Sequence, residues 1–166
     1  VELIDASGIS HSTRVVKSQE EIQVIEKAAK ATEAGMLAAK DCIKAGVSEN
    51  DIAANVHSAM FKAGGEYPAV APYITSGFRT LIGHATWENK TVQNNECVFI
   101  EIGGCFRRYH AAMMRTFFVG EPPSQLLEAF QYVNEDLDKI MSFMKPGVTA
   151  HEVDMLTRDK TRYEKI

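Results

Sequence analysis

The stretch that most constrains the fold runs over residues 98–120, VFIEIGGCFRRYHAAMMRTFFVG, where two apolar runs flank two glycines and a cysteine. Two strand-forming runs around a glycine pair predict an antiparallel hairpin with its turn at residues 103–105. Side chains alternate between the two faces of a strand. Glu101 therefore faces away from three aliphatic residues that share the other side, Val98, Ile100 and Ile102.

Glu101 is a carboxylate on a strand that is otherwise rich in apolar side chains. A charged carboxylate that leaves water needs a partner. The second run of the hairpin offers Arg108, His110 and Arg115. Taken alone, these residues do not separate a solvent-exposed or structural ion pair from a functional acid–base site.

Composition predicts a single globular domain. The chain has 166 residues, of which 45% are hydrophobic and 24% charged, typical of a soluble protein with a core. The net charge of -4 gives no basic stripe, which argues against a nucleic-acid partner. No apolar run approaches the ~20 residues of a membrane span, and no signal peptide is visible. We therefore expect no membrane association and a cytoplasmic location.

The three cysteines, Cys42, Cys97 and Cys105, are too few and too irregularly spaced for a zinc ribbon or a disulfide framework. We expect reduced, structural thiols. Cys105, in the predicted turn, is also a candidate nucleophile, although a reactive thiol needs neighbours that stabilise the thiolate.

Capping boxes predict three helix starts, at Ser18 with Glu21, Ser48 with Asp51 and Thr149 with Glu152. The first helix is expected to run toward Gly46 and to bury one face, consisting of Ile22, Ile25, Ala29, Thr32 and Met36. A further helix is expected after Pro123, capped by Ser124. Residues 1–8 predict a short apolar strand followed by a turn.

An internal repeat links two of these helix starts. Residues 43–48, IKAGVS, match residues 144–149, MKPGVT, and both lie between a long helix and a capped helix. The repeat predicts two similar units, each with a long helix, a glycine turn and a short helix, followed by strands of a shared sheet.

The hairpin resembles the signature of the creatinase and aminopeptidase superfamily, the peptidase M24-like proteins of pita-bread fold. The resemblance implies an α+β fold in which helices cover an antiparallel sheet. In metal-dependent members, an Asp precedes a Gly by two residues, and a second Asp lies three residues before an Arg-Thr pair. Here Glu101 and Ala112 hold those positions. Alanine has no donor atom, so the resemblance is to the metal-free branch.

Within that branch, the run EIGGCFRRYHAAMMRT is most similar to the ectoine hydrolases. Creatinases have a Glu directly before the Arg-Thr pair, where this chain has Met114. The resemblance implies a metal-independent hydrolase that opens a C–N bond in a small metabolite without a cofactor, as a homodimer when full length. Two alternatives stay open: an Xaa-Pro peptidase or other metallopeptidase homologue, and a non-catalytic protein that binds a peptide or partner.

The same resemblance assigns the site. Glu101 and His84 are the expected catalytic residues, because His84 follows Gly83 as the superfamily's substrate-site histidine follows its glycine. No residue is expected to bind a metal. Trp87 is equally explained as a packing anchor. Five residues are expected to contact substrate, namely Trp87, Arg108, Tyr109, His110 and Arg115.

The chain matches only part of such a catalytic domain. Residues 1–17 are expected to end an upstream domain. Residues 18–166 are expected to form a partial catalytic domain, with a first αβ unit at 18–120 and the helices of a second unit at 124–166. We expect its C-terminal half to be incomplete and the fragment alone to be inactive.

Overall fold

The structure, a computed structural model, describes residues 3–158, and the chain divides after Gly120 into two compact units. The first unit contains α1 (Ser7–Val15), α2 (Gln19–Cys42), α3 (Glu49–Lys62), β1 (Tyr73–Ser76), a 3-10 turn (Gly77–Leu81), β2 (Glu96–Phe106) and β3 (Tyr109–Val119). The second contains α4 (Ser124–Phe143) and α5 (Ala150–Met155). None of the helices within residues 3–158 is long and apolar enough to cross a membrane.

The sheet of the first unit has the order β1-β2-β3, with both pairs antiparallel. Helix α2 packs against β2 and β3, while α3 packs against α2 and β1. Between the helices and the sheet lies the core, to which β2 contributes Val98, Ile100 and Ile102. The predicted α+β class and the alternation along β2 are therefore confirmed.

The turn of the hairpin lies at Arg107 and Arg108, so its predicted place at residues 103–105 is wrong. Both arginines have positive φ, 47° and 64°, as a two-residue hairpin turn of the type I′ class requires. Gly104 lies inside β2 instead. A Cβ at Gly104 would collide with the Ala28 carbonyl oxygen on α2. The glycine is needed because the helix approaches the strand closely, not because the chain turns.

Helix α2 begins at the predicted capping box: the Ser18 hydroxyl accepts from Glu21 N, and a Glu21 carboxylate oxygen accepts from Ser18 N. It ends at Cys42, short of Gly46. Its buried face includes Thr32 as predicted, but Ile22 and Ala29 are exposed. The buried face begins more than one helical turn after Ile22, where the prediction placed its start. It consists mostly of small residues, which are Ala28, Ala31, Thr32, Gly35, Met36 and Ala39.

The predicted strand over residues 1–8 is wrong for the residues that the structure describes. Residues 3–6 have no regular structure, and α1 starts at Ser7. The Asp5 carboxylate accepts from Ser7 N at 2.9 Å and thereby satisfies a free amide at the helix start. Val1 and Glu2 lie outside the described residues. The assignment of residues 1–17 to an upstream linker stays a prediction.

In the second unit, α4 begins with Ser124 as its first helical residue and Pro123 as its N-cap, so the predicted cap is off by one position. Proline fits this boundary because it has no backbone N–H and disfavours a helical conformation of the residue before it. The predicted capping box of Thr149 and Glu152 is confirmed at the start of α5. Residues 159–166 lie outside the described part.

Candidate active site

A cavity of about 290 Å³ opens beside the sheet on the face turned away from α2. Glu101 of β2, Tyr73 of β1 and both His110 and Ala112 of β3 line it, and His84 reaches it from the loop after β1. The structure therefore brings the two predicted catalytic residues, Glu101 and His84, to one cavity.

The register of the sheet explains why these side chains meet. Glu101 lies directly opposite Tyr73 on one side and Met114 on the other. Directly opposed residues of antiparallel strands point to the same face. His110 and Ala112 lie four and two positions before Met114 on β3, respectively, so they share the face of Glu101.

The Glu101 carboxylate is half-buried and has no charged or hydrogen-bonded partner within residues 3–158. The predicted partners do not reach it: Arg108 and Arg115 lie elsewhere, and His110 lines the cavity without a bond to the carboxylate. An acceptor with free lone pairs facing a cavity is available to a ligand or to a reacting water.

His84 is held in an unusual backbone conformation, with φ at 57°. Its ring lies 4.8 Å from the ring of Tyr73, tilted by 30°. Tyr73 lies directly opposite Glu101 in the sheet. The ring contact therefore places the imidazole on the same face of the sheet as the Glu101 side chain. Positive φ is uncommon for a residue with a side chain, so the surrounding loop must hold it.

His110 holds a wall of the cavity. Its Nε2 accepts a hydrogen bond from Ala69 N at 3.2 Å, and Ala69 also lines the cavity. Accepting at Nε2 requires a neutral imidazole with its proton on Nδ1. Arg108 secures the same wall, because its guanidinium donates to the Tyr67 carbonyl at 2.7 Å and lies 4.1 Å from that ring. Arg108 therefore supports the wall and does not line the cavity.

Arg115 and Tyr109 lie on the opposite face of the hairpin from Glu101, so the predicted pairing of Arg115 with Glu101 is not formed. The predicted contact of both residues with substrate stays a prediction. Arg115 is paired with Ile100 and borders a second groove together with Glu33 of α2. Tyr109 donates its hydroxyl to Glu21 at 2.5 Å, a bond that lowers the pKa of Glu21 and raises the pKa of Tyr109. Both positions differ by an odd number from Ala112, so the alternation of β3 turns them toward α2.

Trp87 is a packing residue, not a wall of the cavity. Its ring makes an edge-to-face contact with His57 of α3 at 6.0 Å and packs against the core. These contacts support the packing interpretation, and the predicted contact of Trp87 with substrate stays a prediction. The aromatic ring on the cavity side is Tyr73, which the sequence reasoning missed. Its position in β1, in register with Glu101, could have been found only from the strand pairing.

The three cysteines are free. Burial raises the pKa of the Cys42 and Cys97 thiols, as expected for structural cysteines. Cys105 is fully buried inside β2, not in a turn, and its Sγ lies 3.9 Å from a Glu66 carboxylate oxygen. A thiol without exposure to solvent is not accessible to a substrate, so the geometry does not support a nucleophilic Cys105.

Within residues 3–158, the side chains around Glu101 do not form a metal site. Ala112, at the position where metal-dependent relatives are expected to carry a carboxylate, lines the cavity without a donor atom. Nowhere in residues 3–158 do three His, Cys, Asp or Glu side chains come together closely enough to hold a metal ion. Two imidazoles and one carboxylate share a cavity, but they are not arranged as ligands of one ion.

The fold and this site define the class. The model of metallopeptidase family M24 matches residues 23–165, and the chain belongs to this family. The predicted superfamily and its pita-bread fold are confirmed. The prolidase from Pyrococcus furiosus superimposes with a TM-score of 0.89 at 31% identity, covering 95% of this chain and 47% of that one.

Two curated relatives differ in their named activity. The Xaa-Pro dipeptidase of Pyrococcus horikoshii is 34% identical over 88% of this chain and 42% of its own length. The ectoine hydrolase of Halomonas elongata is 27% identical over 91% of this chain and 40% of its own length. The chain thus spans less than half of the relatives it matches.

Proposed function

We propose that the protein is a metal-independent hydrolase that opens a C–N bond in a small cyclic metabolite, in the manner of an ectoine hydrolase. The observation that carries the proposal is the half-buried Glu101 carboxylate, which faces a cavity and has no partner within the described residues. A carboxylate with free lone pairs next to imidazole groups can attack an electrophilic carbon or activate a water molecule.

The proposed roles follow from position. Glu101 either attacks the carbon between the two nitrogens of a cyclic amidine, after which water hydrolyses the Glu101–carbon bond, or takes a proton from a water molecule that attacks this carbon directly. His84 delivers a proton to the nitrogen that leaves, so that water is added across the broken C–N bond. His110 keeps its proton on Nδ1 and holds the wall at Ala69 while the ring is bound.

The shape and lining of the cavity support a compact, positively charged ring. The cavity volume, about 290 Å³, is at the small end of ligand sites. Small apolar side chains form much of the lining, including Ala69, Val70, Ala71 and Ala112. Among the described residues that line the cavity, Glu101 is the single carboxylate, so an amidinium ring would find one negatively charged partner beside two imidazoles, the Tyr73 ring and small apolar side chains.

Metal independence is part of the proposal and rests on the donor set, because Ala112, which lines the same cavity as Glu101, supplies no ligand. The second candidate is an Xaa-Pro dipeptidase, which the names of the P. horikoshii and P. furiosus relatives favour. A homodimer and a cytoplasmic location stay predictions.

The test is turnover by the intact protein and its Glu101→Gln variant. Ectoine, creatine and an Xaa-Pro dipeptide are offered separately, each with a metal chelator and with added divalent metal. We expect chelator-resistant turnover of ectoine that falls about 10²- to 10⁴-fold in Glu101→Gln, because the variant keeps the shape and loses the charge. Glu33→Gln is the matched control, since Glu33 borders the groove on the opposite face of the hairpin.

The outcomes separate the candidates. Cleavage of the dipeptide that the chelator abolishes would replace the proposal with the dipeptidase. Equal ectoine turnover by wild type and Glu101→Gln would remove Glu101 from the chemistry. If the intact protein turns over none of the three compounds although its thermal melting shows that it is folded, the result would favour a non-catalytic binding protein.

A further inference from the structure

The first residue of α3 carries a buried carboxylate, whose hydrogen-bond partners are not among the residues that line the Glu101 cavity. Glu49 is the first residue of this helix, and its side chain is 0% exposed. Acids in the first turn of a helix are common, but they usually remain in water. A wholly buried carboxylate needs several donors to compensate for the water it has lost.

Glu49 has four such donors, and all of them come from residues 76–88. One carboxylate oxygen accepts from Ser76 N at 2.7 Å and from the Ser76 hydroxyl at 2.8 Å. The other accepts from the Arg79 guanidinium at 2.5 Å and from Glu88 N at 3.0 Å. Ser76 ends β1, and Glu88 lies on the far side of His84. One carboxylate therefore fastens both ends of the loop that carries His84.

Arg79 extends this anchor into the loop itself. Its second guanidinium nitrogen donates to the Thr86 carbonyl and lies 3.3 Å from a Glu88 carboxylate oxygen. The guanidinium is mostly buried, at 16% exposure, and it bridges Glu49 to the segment that follows His84. A planar guanidinium that serves three acceptors fixes geometry as well as charge.

The loop fastened in this way holds the strained His84. The positive φ of His84 and the contact of its ring with Tyr73 need a backbone that is fixed on both sides. Tyr73 in turn lies opposite Glu101 in the sheet. A chain of contacts thus runs from Glu49 through Arg79 and the loop to His84, which lines the same cavity as Glu101.

We propose that Glu49, acting with Arg79, is a positioning residue that sets the place of the His84 imidazole relative to Glu101. Glu49 does not line the cavity and does not touch substrate. The catalytic consequence rests on the function proposed above, whereas the conformational consequence does not. Loss of the Glu49 charge frees the loop, and His84 then leaves the Tyr73 ring.

The first readout is the NMR spectrum of the substrate-free, intact protein with labelled histidine. The His84 ring signal is identified by its loss in His84→Gln, and the nearby Tyr73 ring shifts it from its usual position. We expect this shift to disappear in Glu49→Gln and in Arg79→Lys, while the signal of His110 stays in place. The second substitution keeps the test valid if the first variant does not fold.

Asp51→Asn is the matched control. Asp51 lies in the same first turn of α3, but its carboxylate contacts Ser48 and no residue of the loop. We expect the His84 signal of this variant to match wild type even where its melting temperature falls. A His84 signal that stays in place in both Glu49→Gln and Arg79→Lys, or that moves equally in Asp51→Asn, would overturn the proposal.

The second readout is how the kinetic effect of Glu49→Gln divides between kcat and KM. Misplacing a catalytic group costs about 10²-fold in rate, so kcat for ectoine should fall by about that factor in Glu49→Gln with KM nearly unchanged. An unchanged kcat despite a displaced His84 signal would overturn the role of Glu49 in catalysis. A wild-type protein without turnover, but with the displaced signal in the variants, would contradict only the proposed function and would leave the positioning of His84 supported.

Discussion

The two glycine junctions of the chain have nearly the same local geometry. At residues 43–48 and 144–149 the long helix ends with an extended cap residue, whose N–H donates to the carbonyl four residues earlier. Gly46 and Gly147 then take positive φ, 89° and 94°. A capping box starts the next helix in both cases. The repeated sequence therefore produces the same turn twice.

The junctions differ in what surrounds them. At the first, Gly46 N donates to the Val92 carbonyl and Glu49 N to the Lys90 carbonyl, so distant loop residues close on the turn. At the second, Ala150 stands where the first has Glu49. Helix α3 buries part of its length, whereas the described helix α5 has no buried residue. A turn is thus encoded locally, and a buried anchor exists only where a loop supplies the donors.

The largest expected effect on the free energy of unfolding comes from substitutions at Glu49 and Ala150, the residues that differ between the two junctions. Glu49→Ala leaves the mostly buried Arg79 and the donors of Ser76 and Glu88 without their acceptor, which costs about 3–5 kcal/mol in the free energy of unfolding. Ala150→Glu adds an acid to an exposed first turn and should change it by about 0.5 kcal/mol or less. Denaturant unfolding of both variants measures this difference. Similar losses in the two would mean that the junctions are equivalent.

A smaller and equal effect is expected where the junctions are alike. Gly46→Ala and Gly147→Ala each place a Cβ in open space at positive φ, so only backbone strain of about 1–2 kcal/mol is added. Hydrogen exchange at the cap amides of Ile43 and Met144 reports the local loss. A cost at Gly46 well above that at Gly147 would show that the loop at Val92 also constrains the turn.

The smallest expected effect concerns the acid of the second capping box. The Thr149 backbone N–H, and then its hydroxyl, donate to Glu152 and hold the pKa of its carboxyl below the ordinary value of 4.5. A lowered pKa in the folded state stabilises the cap above pH 4.5, and this contribution is lost as the pH falls through the lowered pKa.

Carbon-detected NMR titration of Glu152 measures that pKa. We expect Thr149→Ala to raise it only part of the way, because the backbone donor remains. A return to 4.5 in this variant would mean that the hydroxyl alone holds the box together.

Local signals explain what could be predicted from the sequence. The three capping boxes were right because a cap depends on residues three apart. The alternation along β2 correctly placed Glu101 opposite the aliphatic face. His84 is a candidate only through the resemblance, since a lone histidine in a loop carries no signal of its own.

The failures have a common physical cause, which is contact between distant segments. Gly104 was mistaken for a turn residue because its requirement comes from Ala28 on a helix far away in the chain. Arg115 was assigned to the site without the alternation that turns it toward α2. The burial of Glu49 could not be predicted, because an acid after a serine cap is common and only its contacts with the folded loop make it unusual.

One carboxylate joins two events on the folding pathway. One oxygen of Glu21 completes the capping box with Ser18, a contact within one helical turn, and the other accepts from Tyr109 at the tip of the hairpin. The local half can form within the time of helix growth, whereas the other half must wait for closure of a loop that spans most of the first unit. We therefore expect the start of α2 to form before the hairpin docks on it, and the tyrosine bond to form with that docking.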